Sequence, residues 1–245
     1  MGPVRVLRRV TLESDSLHER LRGVRRTIET AARQAERDPG AVRIVAVTKT
    51  FPPAAVHAAL AAGLTDVGEN YVQEARAKRV HAPDGTWHLI GGLQRNKVRQ
   101  AVAAFDYVHT ADSAPLAAAL SEAATDAGRR LPVLVQVNVA RESSKRGVAP
   151  EGAQALCEVV LGLAGLRLEG LMTIGPAVPP EAMRPHFRAL RELRDDVGHR
   201  LGVELPQLSM GMSDDFAVAV EEGATLVRLG RVLFGRRGSG AWREG

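Results

Sequence analysis

The order of apolar runs along the chain predicts an α/β protein of one domain, a (β/α)8 TIM barrel preceded by an extra helix. Three observations carry this. Eight short strand-like runs alternate with helix-patterned stretches over about 200 residues, the spacing of a barrel rather than of an open sheet. Several runs, such as Ile44-Val45-Ala46-Val47, are apolar without alternation, as in parallel strands covered on both faces. No Pro/Gly/Ser-rich linker or shift of composition divides the chain.

Residues 1–13 read as a disordered leader ahead of the barrel, which spans 14–237, and 238–245 read as a short tail. Ser14 or Asp15 suits the cap of a first helix, whose Leu17, Leu21, Val24 and Ile28 form an apolar stripe. Asp38-Pro39-Gly40 stops it, and the helix is expected to cover the N-terminal side of the barrel. The strands then fall at 43–48, 65–69, 87–91, 107–110, 133–139, 168–174, 207–211 and 224–230. Helices between them are expected at about 53–62, 71–80, 94–104, 112–127, 150–162, 180–199 and 213–222, with Asp112 and Ser213 at two of their N-termini.

Composition excludes several function classes. The net charge of +5 rests almost wholly on arginine; the only lysines are Lys49, Lys78, Lys97 and Lys145. Aromatic residues are 4% of the chain, too few for a base-stacking platform, and the basic residues are interspersed with acids, so no nucleic-acid partner is expected. The single cysteine, Cys157, reads as a small buried hydrophobe and forms no intrachain disulfide. No run is apolar enough to span a membrane, and the N-terminus lacks the apolar segment of a signal peptide. The seven histidines show no zinc spacing, and His88 and His109 on strands read as core or rim residues. A reducing cytoplasm and a monomer are the expectations.

Barrels place reactive groups at the carboxyl ends of their strands. Strand one ends in Lys49. A desolvated lysine there has an amine suited to a Schiff base, whereas a lysine that snorkels from the strand end does not. Strands seven and eight offer an anion site: Ser209-Met210-Gly211-Met212-Ser213 brings a glycine and a hydroxyl to a helix start, and Gly230 and Arg231 add backbone N–H groups. The plainer roles are an N-cap for Ser213 and a turn for Gly230. Lysine and anion site together suggest a Schiff-base aldolase or a protein of pyridoxal 5'-phosphate (PLP). Arg228, two residues before Gly230, could face a pyridine nitrogen and keep it unprotonated; its plainer role is a structural ion pair, for instance with Glu69.

The segments Ala46-Val47-Thr48-Lys49-Thr50, Val67-Gly68-Glu69-Asn70-Tyr71-Val72-Gln73-Glu74, Trp87-His88-Leu89-Ile90-Gly91-Gly92-Leu93-Gln94-Arg95-Asn96-Lys97, Ser144-Lys145-Arg146-Gly147, Gly170-Leu171-Met172-Thr173-Ile174, Leu208-Ser209-Met210-Gly211-Met212-Ser213-Asp214-Asp215 and Val227-Arg228-Leu229-Gly230 carry a resemblance. Over roughly 15–237 the chain resembles the YggS/PROSC family of PLP homeostasis proteins, which is similar to the alanine racemase N-terminal domain, PLP fold type III. The resemblance implies PLP on Lys49 as an internal aldimine and a phosphate held by Ser213 and the Gly230–Arg231 backbone. It implies Arg228 at the pyridine nitrogen, with Asn70, Met172, Ser209 and Met210 around the pocket. No metal is implied. The expected function is intracellular PLP homeostasis, as carrier, buffer or regulator, with apo PLP-dependent enzymes as partners.

Gly92 stands where that family often has proline, Thr48 where it often has serine, and Arg231 where a small residue is common. The alternative is a PLP-dependent racemase. Against it, the only tyrosines are Tyr71 and Tyr107, and no second base opposite Lys49 is evident, so no robust catalytic activity is expected. Lys97 and Lys145, on loops at the same end, read as solvated charges; Lys145 could instead hold PLP briefly during transfer.

Overall fold

A computed structural model describes residues 4–235, with side chains from Ser16 onward. Eight parallel strands close into a barrel in chain order. They are β1 (Arg43–Val47), β2 (Asp66–Glu69), β3 (Thr86–Leu89), β4 (Tyr107–Ala111), β5 (Leu131–Gln136), β6 (Leu166–Met172), β7 (Gln207–Ser209) and β8 (Leu226–Leu229). Helix α1 (Val4–Gln34) precedes them. The connecting helices are α2 (Pro53–Ala61), α3 (Val72–Arg79), α4 (Val98–Ala104), α5 (Ala114–Asp126), α6 (Ala153–Leu161), α7 (Pro180–Leu201) and α8 (Phe216–Glu221). A single turn, α9 (Arg231–Phe234), follows β8.

Closure is made by β1 against β8, where Val45 pairs with Arg228 and Ala46 with Leu229. The period-two alternation of strand side chains then divides the core. Val45, Tyr107, Leu134, Met172 and Leu226 fill the barrel interior. Ala46, Val67, Trp87, Val133, Leu171 and Val227 belong to the larger core shared with the helices. Trp87 is fully buried there, and its indole N–H donates to the Ala82 carbonyl at 3.2 Å. Cys157 is buried among the same helices, and burial pushes its thiol up to about 12.

The apolar stripe of α1 is buried as expected at Leu17, Leu21, Val24 and Ile28. The helix begins at Val4 rather than near Ser14, so it takes in most of the expected leader; residues 1–3 and the expected tail at 238–245 lie outside the described residues. It packs chiefly along α8 and α9, and Arg20 Nη1 donates to the Leu233 carbonyl at 3.3 Å. Its Arg25, Ile28 and Glu29 line a cavity with Arg43, Thr65 and Asp66 at the N-terminal strand ends, so the helix covers that side of the barrel at least in part.

Neither of the two residues expected at helix N-termini, Asp112 and Ser213, caps its helix. Ser113, not Asp112, occupies the N-cap of α5. Helix α8 starts at Phe216, because residues 212–215 fold into a turn instead. The Met212 N–H donates to Asp215 Oδ1 at 2.6 Å, and the Asp215 N–H donates back to the Met212 carbonyl at 3.1 Å. No described helix is long and apolar enough to cross a membrane.

Candidate functional site

Lys49 lies two residues beyond β1, half-buried, on the turn that leads to α2. That turn is held from below. Thr50 adopts φ +66°, a left-handed conformation that is rare and costly for a β-branched residue. Its N–H donates to Glu74 Oε1 at 2.5 Å, and the Phe51 N–H donates to the Thr48 carbonyl at 3.0 Å. Lys78, on α3 and fully buried, donates to the same Thr48 carbonyl at 2.7 Å, to Glu69 Oε1 at 2.8 Å and to Glu74 Oε1 at 2.7 Å. The Thr48 hydroxyl donates to Glu69 Oε1 at 2.6 Å. Burial pushes the Glu69 carboxyl up to about 7, against the opposing pull of the Lys78 ammonium. The flanks of Lys49 are therefore fixed by a buried ionic brace.

Across the closure of the barrel, the Ser213 turn meets the start of α9. Ser213 Oγ accepts from the Val232 N–H at 3.3 Å, which leaves its own O–H to donate. A Cβ on Gly230 would lie 3.2 Å from the Val47 carbonyl, so glycine lets the end of β8 approach the end of β1. Phe51 and Phe234 pack with ring centroids 5.4 Å apart, tying the Lys49 turn to α9. Gly211 has φ +90°, and a Cβ there would stand 2.6 Å from Ala219 Cβ. The nearby acids are engaged: Asp214 pairs with Arg231, and Asp215 accepts from Met212. They leave the Ser213 hydroxyl as a donor at this corner.

Arg228 stands buried inside the barrel. Its Nη1 donates to Ser209 Oγ at 2.6 Å and its Nη2 to the Thr173 carbonyl at 2.8 Å. Burial lowers its guanidinium to about 10, partly offset by Asp215, so it stays cationic at neutral pH. The expected alternative, an ion pair with Glu69, is overturned: Glu69 is held by Lys78 and Thr48.

The chain matches the family described as alanine racemase, N-terminal domain, over residues 20–238. A pyridoxal phosphate homeostasis protein of Pseudomonas aeruginosa is 46% identical over 229 residues, covering 92% of this chain and 98% of its own. The chain belongs to the pyridoxal phosphate homeostasis protein family. A protein of the same name from Aquifex aeolicus is 42% identical over 222 residues, covering 89% of this chain and 97% of its own. PipY of Synechococcus elongatus, solved with PLP bound, superposes with a TM-score of 0.79 at 36% identity, covering 89% of this chain and all of its own. An alanine racemase of Clostridium difficile superposes at 0.70 with 16% identity, covering 88% of this chain and 60% of its own, a likeness of fold alone.

In this member of the PLP homeostasis family the expected residues divide. Lys49, Ser213, Gly230 and Arg231 gather where β1, β7 and β8 end, and Ser209, Met172 and Arg228 face the interior below them. The main chain of Asn70 runs against Gly91, where a Cβ would lie 2.4 Å from the Asn70 carbonyl oxygen. Met210 departs from expectation. It is fully buried in the core shared with the helices, because it follows the inward Ser209 and points the other way. The Arg231 side chain is exposed and paired with Asp214. Lys145 is half-buried, with its Nζ 2.9 Å from Glu142 Oε1 and donating to the Gly175 carbonyl at 2.5 Å.

Residues not anticipated as functional are Lys78, Glu74 and Gln136. Gln136 ends β5, is 3% exposed, and its Oε1 has no hydrogen-bond partner while its Nε2 donates to the Arg146 carbonyl at 3.1 Å. Gln136 shares the period-two register of Leu134, which is the signal that could have marked it as inward-facing.

Proposed function

We propose that this protein binds PLP at Lys49 and serves PLP homeostasis as a carrier or buffer in the cytoplasm, acting as a monomer. The observation that carries the reading is the apposition of the braced Lys49 turn to the Ser213–Gly230–Arg231 cradle, joined by Phe51 and Phe234. The donor set fits the cofactor. The Lys49 amine would hold the cofactor through its aldehyde. The Ser213 hydroxyl and the Gly230–Arg231 backbone would hold its phosphate, and cationic Arg228 would serve its pyridine nitrogen. When bound, PLP supplies an electron sink, which an arginine partner weakens by disfavouring protonation of the ring.

This arrangement suits holding the cofactor better than turnover. A racemase needs a second acid/base. Tyr107 donates to Glu169 Oε2 at 2.6 Å, with burial and that carboxylate holding its phenol far above the usual range. Tyr71 is 60% exposed ahead of α3. Neither is arranged as a partner for Lys49.

The test is borohydride reduction of PLP-treated protein followed by peptide mapping. The mass of reduced pyridoxyl phosphate is expected on Lys49 and lost in Lys49→Ala. Labelling spread over Lys97 and Lys145 with Lys49 unmodified would overturn the reading. Transfer is tested by mixing loaded protein with an apo PLP enzyme in the presence of a free-PLP trap.

A further inference from the structure

A line of hydrogen bonds crosses the barrel interior from Arg228 to the opposite end. Arg228 Nη1 donates to Ser209 Oγ at 2.6 Å. Ser209 Oγ lies 2.9 Å from His109 Nδ1, His109 Nε2 lies 2.9 Å from His88 Nδ1, and His88 Nε2 lies 2.7 Å from Asp66 Oδ1. All five side chains are buried. Asp66 opens β2, at the N-terminal mouth of the barrel, where Arg43 Nε also donates to it at 3.2 Å. A cavity of about 450 Å³, lined in part by Arg25, Arg43, Thr65 and Asp66, reaches that end.

The two ends fix the direction of the terminal bonds, and neutral imidazoles then fix those between them. A guanidinium only donates, and an ionised carboxylate only accepts. Asp66 therefore accepts from His88 Nε2–H. A neutral His88 then presents a bare Nδ1, which accepts from His109 Nε2–H. A neutral His109 presents a bare Nδ1, which accepts the Ser209 O–H, and Ser209 Oγ accepts from Arg228. With both imidazoles neutral and protonated on Nε2, the whole line is satisfied and runs head to tail. Hydrogen bonds aligned head to tail in this way polarise one another.

Protonating His109 changes the pattern: an N–H on its Nδ1 would turn the Ser209 hydroxyl from donor to acceptor, and the line would no longer run head to tail. The surrounding charges are Arg43 on β1, Asp66 on β2, Glu169 on β6 through the Tyr107 hydroxyl on β4, and Arg228 on β8. Tyr107 stacks on His88 at 5.1 Å and meets His109 edge-on at the same distance. Burial, with the Arg228 and Arg43 cations, holds His109 well below its ordinary pKa.

We propose that Ser209, His109 and His88 are positioning residues that form a directed relay from Asp66 to Arg228, fixing how Arg228 is presented to the pyridine nitrogen of bound PLP. This rests on the PLP reading above. The acceptor at the N-terminal end of the barrel thereby governs a donor toward the carboxyl ends of the strands.

The first test needs neither PLP nor a variant. Long-range proton–nitrogen NMR of the histidine-labelled native protein at pH 7 is expected to show His88 and His109 neutral and protonated on Nε2. An Nδ1–H tautomer or an imidazolium at either ring overturns the relay. The second test uses PLP-loaded protein, with Lys49 labelling measured on the same samples. Asp66→Asn keeps an acceptor for His88 but removes the charge, and Ser209→Ala cuts the line. Each is expected to shift the pH midpoint of the bound cofactor's absorbance, and Ser209→Ala to weaken PLP binding roughly tenfold. Loaded variants whose midpoints match the native protein overturn the relay while leaving PLP binding intact. Absence of Lys49 labelling in the native protein overturns the binding reading instead, and the NMR result still decides the relay's geometry.

Discussion

Lys78 Nζ lies 2.8 Å from Glu69 Oε1, and both side chains are fully buried directly beneath the turn that carries Lys49. The pair joins α3 to the end of β2, and its third bond, to the Thr48 carbonyl, passes that rigidity to β1. Removing one partner of such a pair leaves an uncompensated buried charge. Lys78→Met is therefore expected to destabilise the fold by about 3–5 kcal/mol. The double variant Lys78→Met/Glu69→Gln is expected to recover part of that loss. Urea unfolding of the three proteins measures both effects, and a Lys78→Met protein as stable as the native one contradicts the brace.

The same site makes an unusual pH profile. Burial raises Glu69 from 4.5 to about 7, so between those values the unfolded chain has released a proton that the native one keeps. Its contribution to stability falls as pH rises through that window. His109 acts oppositely. Its native pKa is well below 6.5, so below 6.5 the unfolded chain binds a proton that the native one refuses, and stability falls as pH drops. Between pH 4.5 and 6.5 the two slopes oppose each other, each at up to about 1.4 kcal/mol per pH unit. Glu69→Gln is expected to leave a profile rising with pH there, and His109→Gln one that falls. Unfolding free energies at half-unit steps of pH check the signs.

The barrel was legible because parallel strands covered on both faces leave contiguous apolar runs, as in Ile44–Val47 and Val133–Val135. Strand-end position then exposed Lys49, Arg228 and Gly230. Lys78 was hidden because Glu74, Arg76, Lys78 and Arg79 read as a solvated helix face, and its partners Thr48 and Glu69 are distant in sequence. His88 and His109 were visible as strand histidines, but the link from His109 to Ser209 runs across the barrel from β4 to β7, a separation of 100 residues. The early start assigned to α8 failed for a local reason: the Asp215 carboxylate captures the Met212 N–H and makes a turn where capping residues suggested a helix.

Lys145 sits on the loop after β5 with its ammonium on the Gly175 carbonyl, which follows β6. It therefore bridges two loops at the end of the barrel that bears Lys49. Lys145→Ala is expected to slow PLP handover to an apo enzyme several-fold while leaving equilibrium loading of Lys49 within about twofold, a difference under ~0.5 kcal/mol. Timed activation of the apo enzyme, with loading measured in parallel by absorbance, separates the two. Unchanged handover in Lys145→Ala removes Lys145 from the transfer path.

Adjacent glycines after β3 make a paired test of how closely the Asn70 main chain is fitted. A Cβ on Gly91 would lie 2.4 Å from the Asn70 carbonyl oxygen and 2.7 Å from its Cα, both backbone atoms that cannot swing aside. The Gly91 carbonyl is itself fixed, accepting from the Thr110 hydroxyl at 2.9 Å. The three atoms nearest a Cβ on Gly92 all belong to the Arg146 side chain, with Nε at 2.7 Å, and Arg146 is an exposed side chain that can turn away. Gly91→Ala is expected to cost about 1–3 kcal/mol by overpacking and, by displacing Asn70, to weaken PLP binding. Gly92→Ala is expected to stay within about 0.5 kcal/mol of the native protein and to bind PLP normally. Urea unfolding and PLP titration of both variants decide it. Equal effects at the two positions would show that the loop, rather than the Asn70 contact, sets the cost.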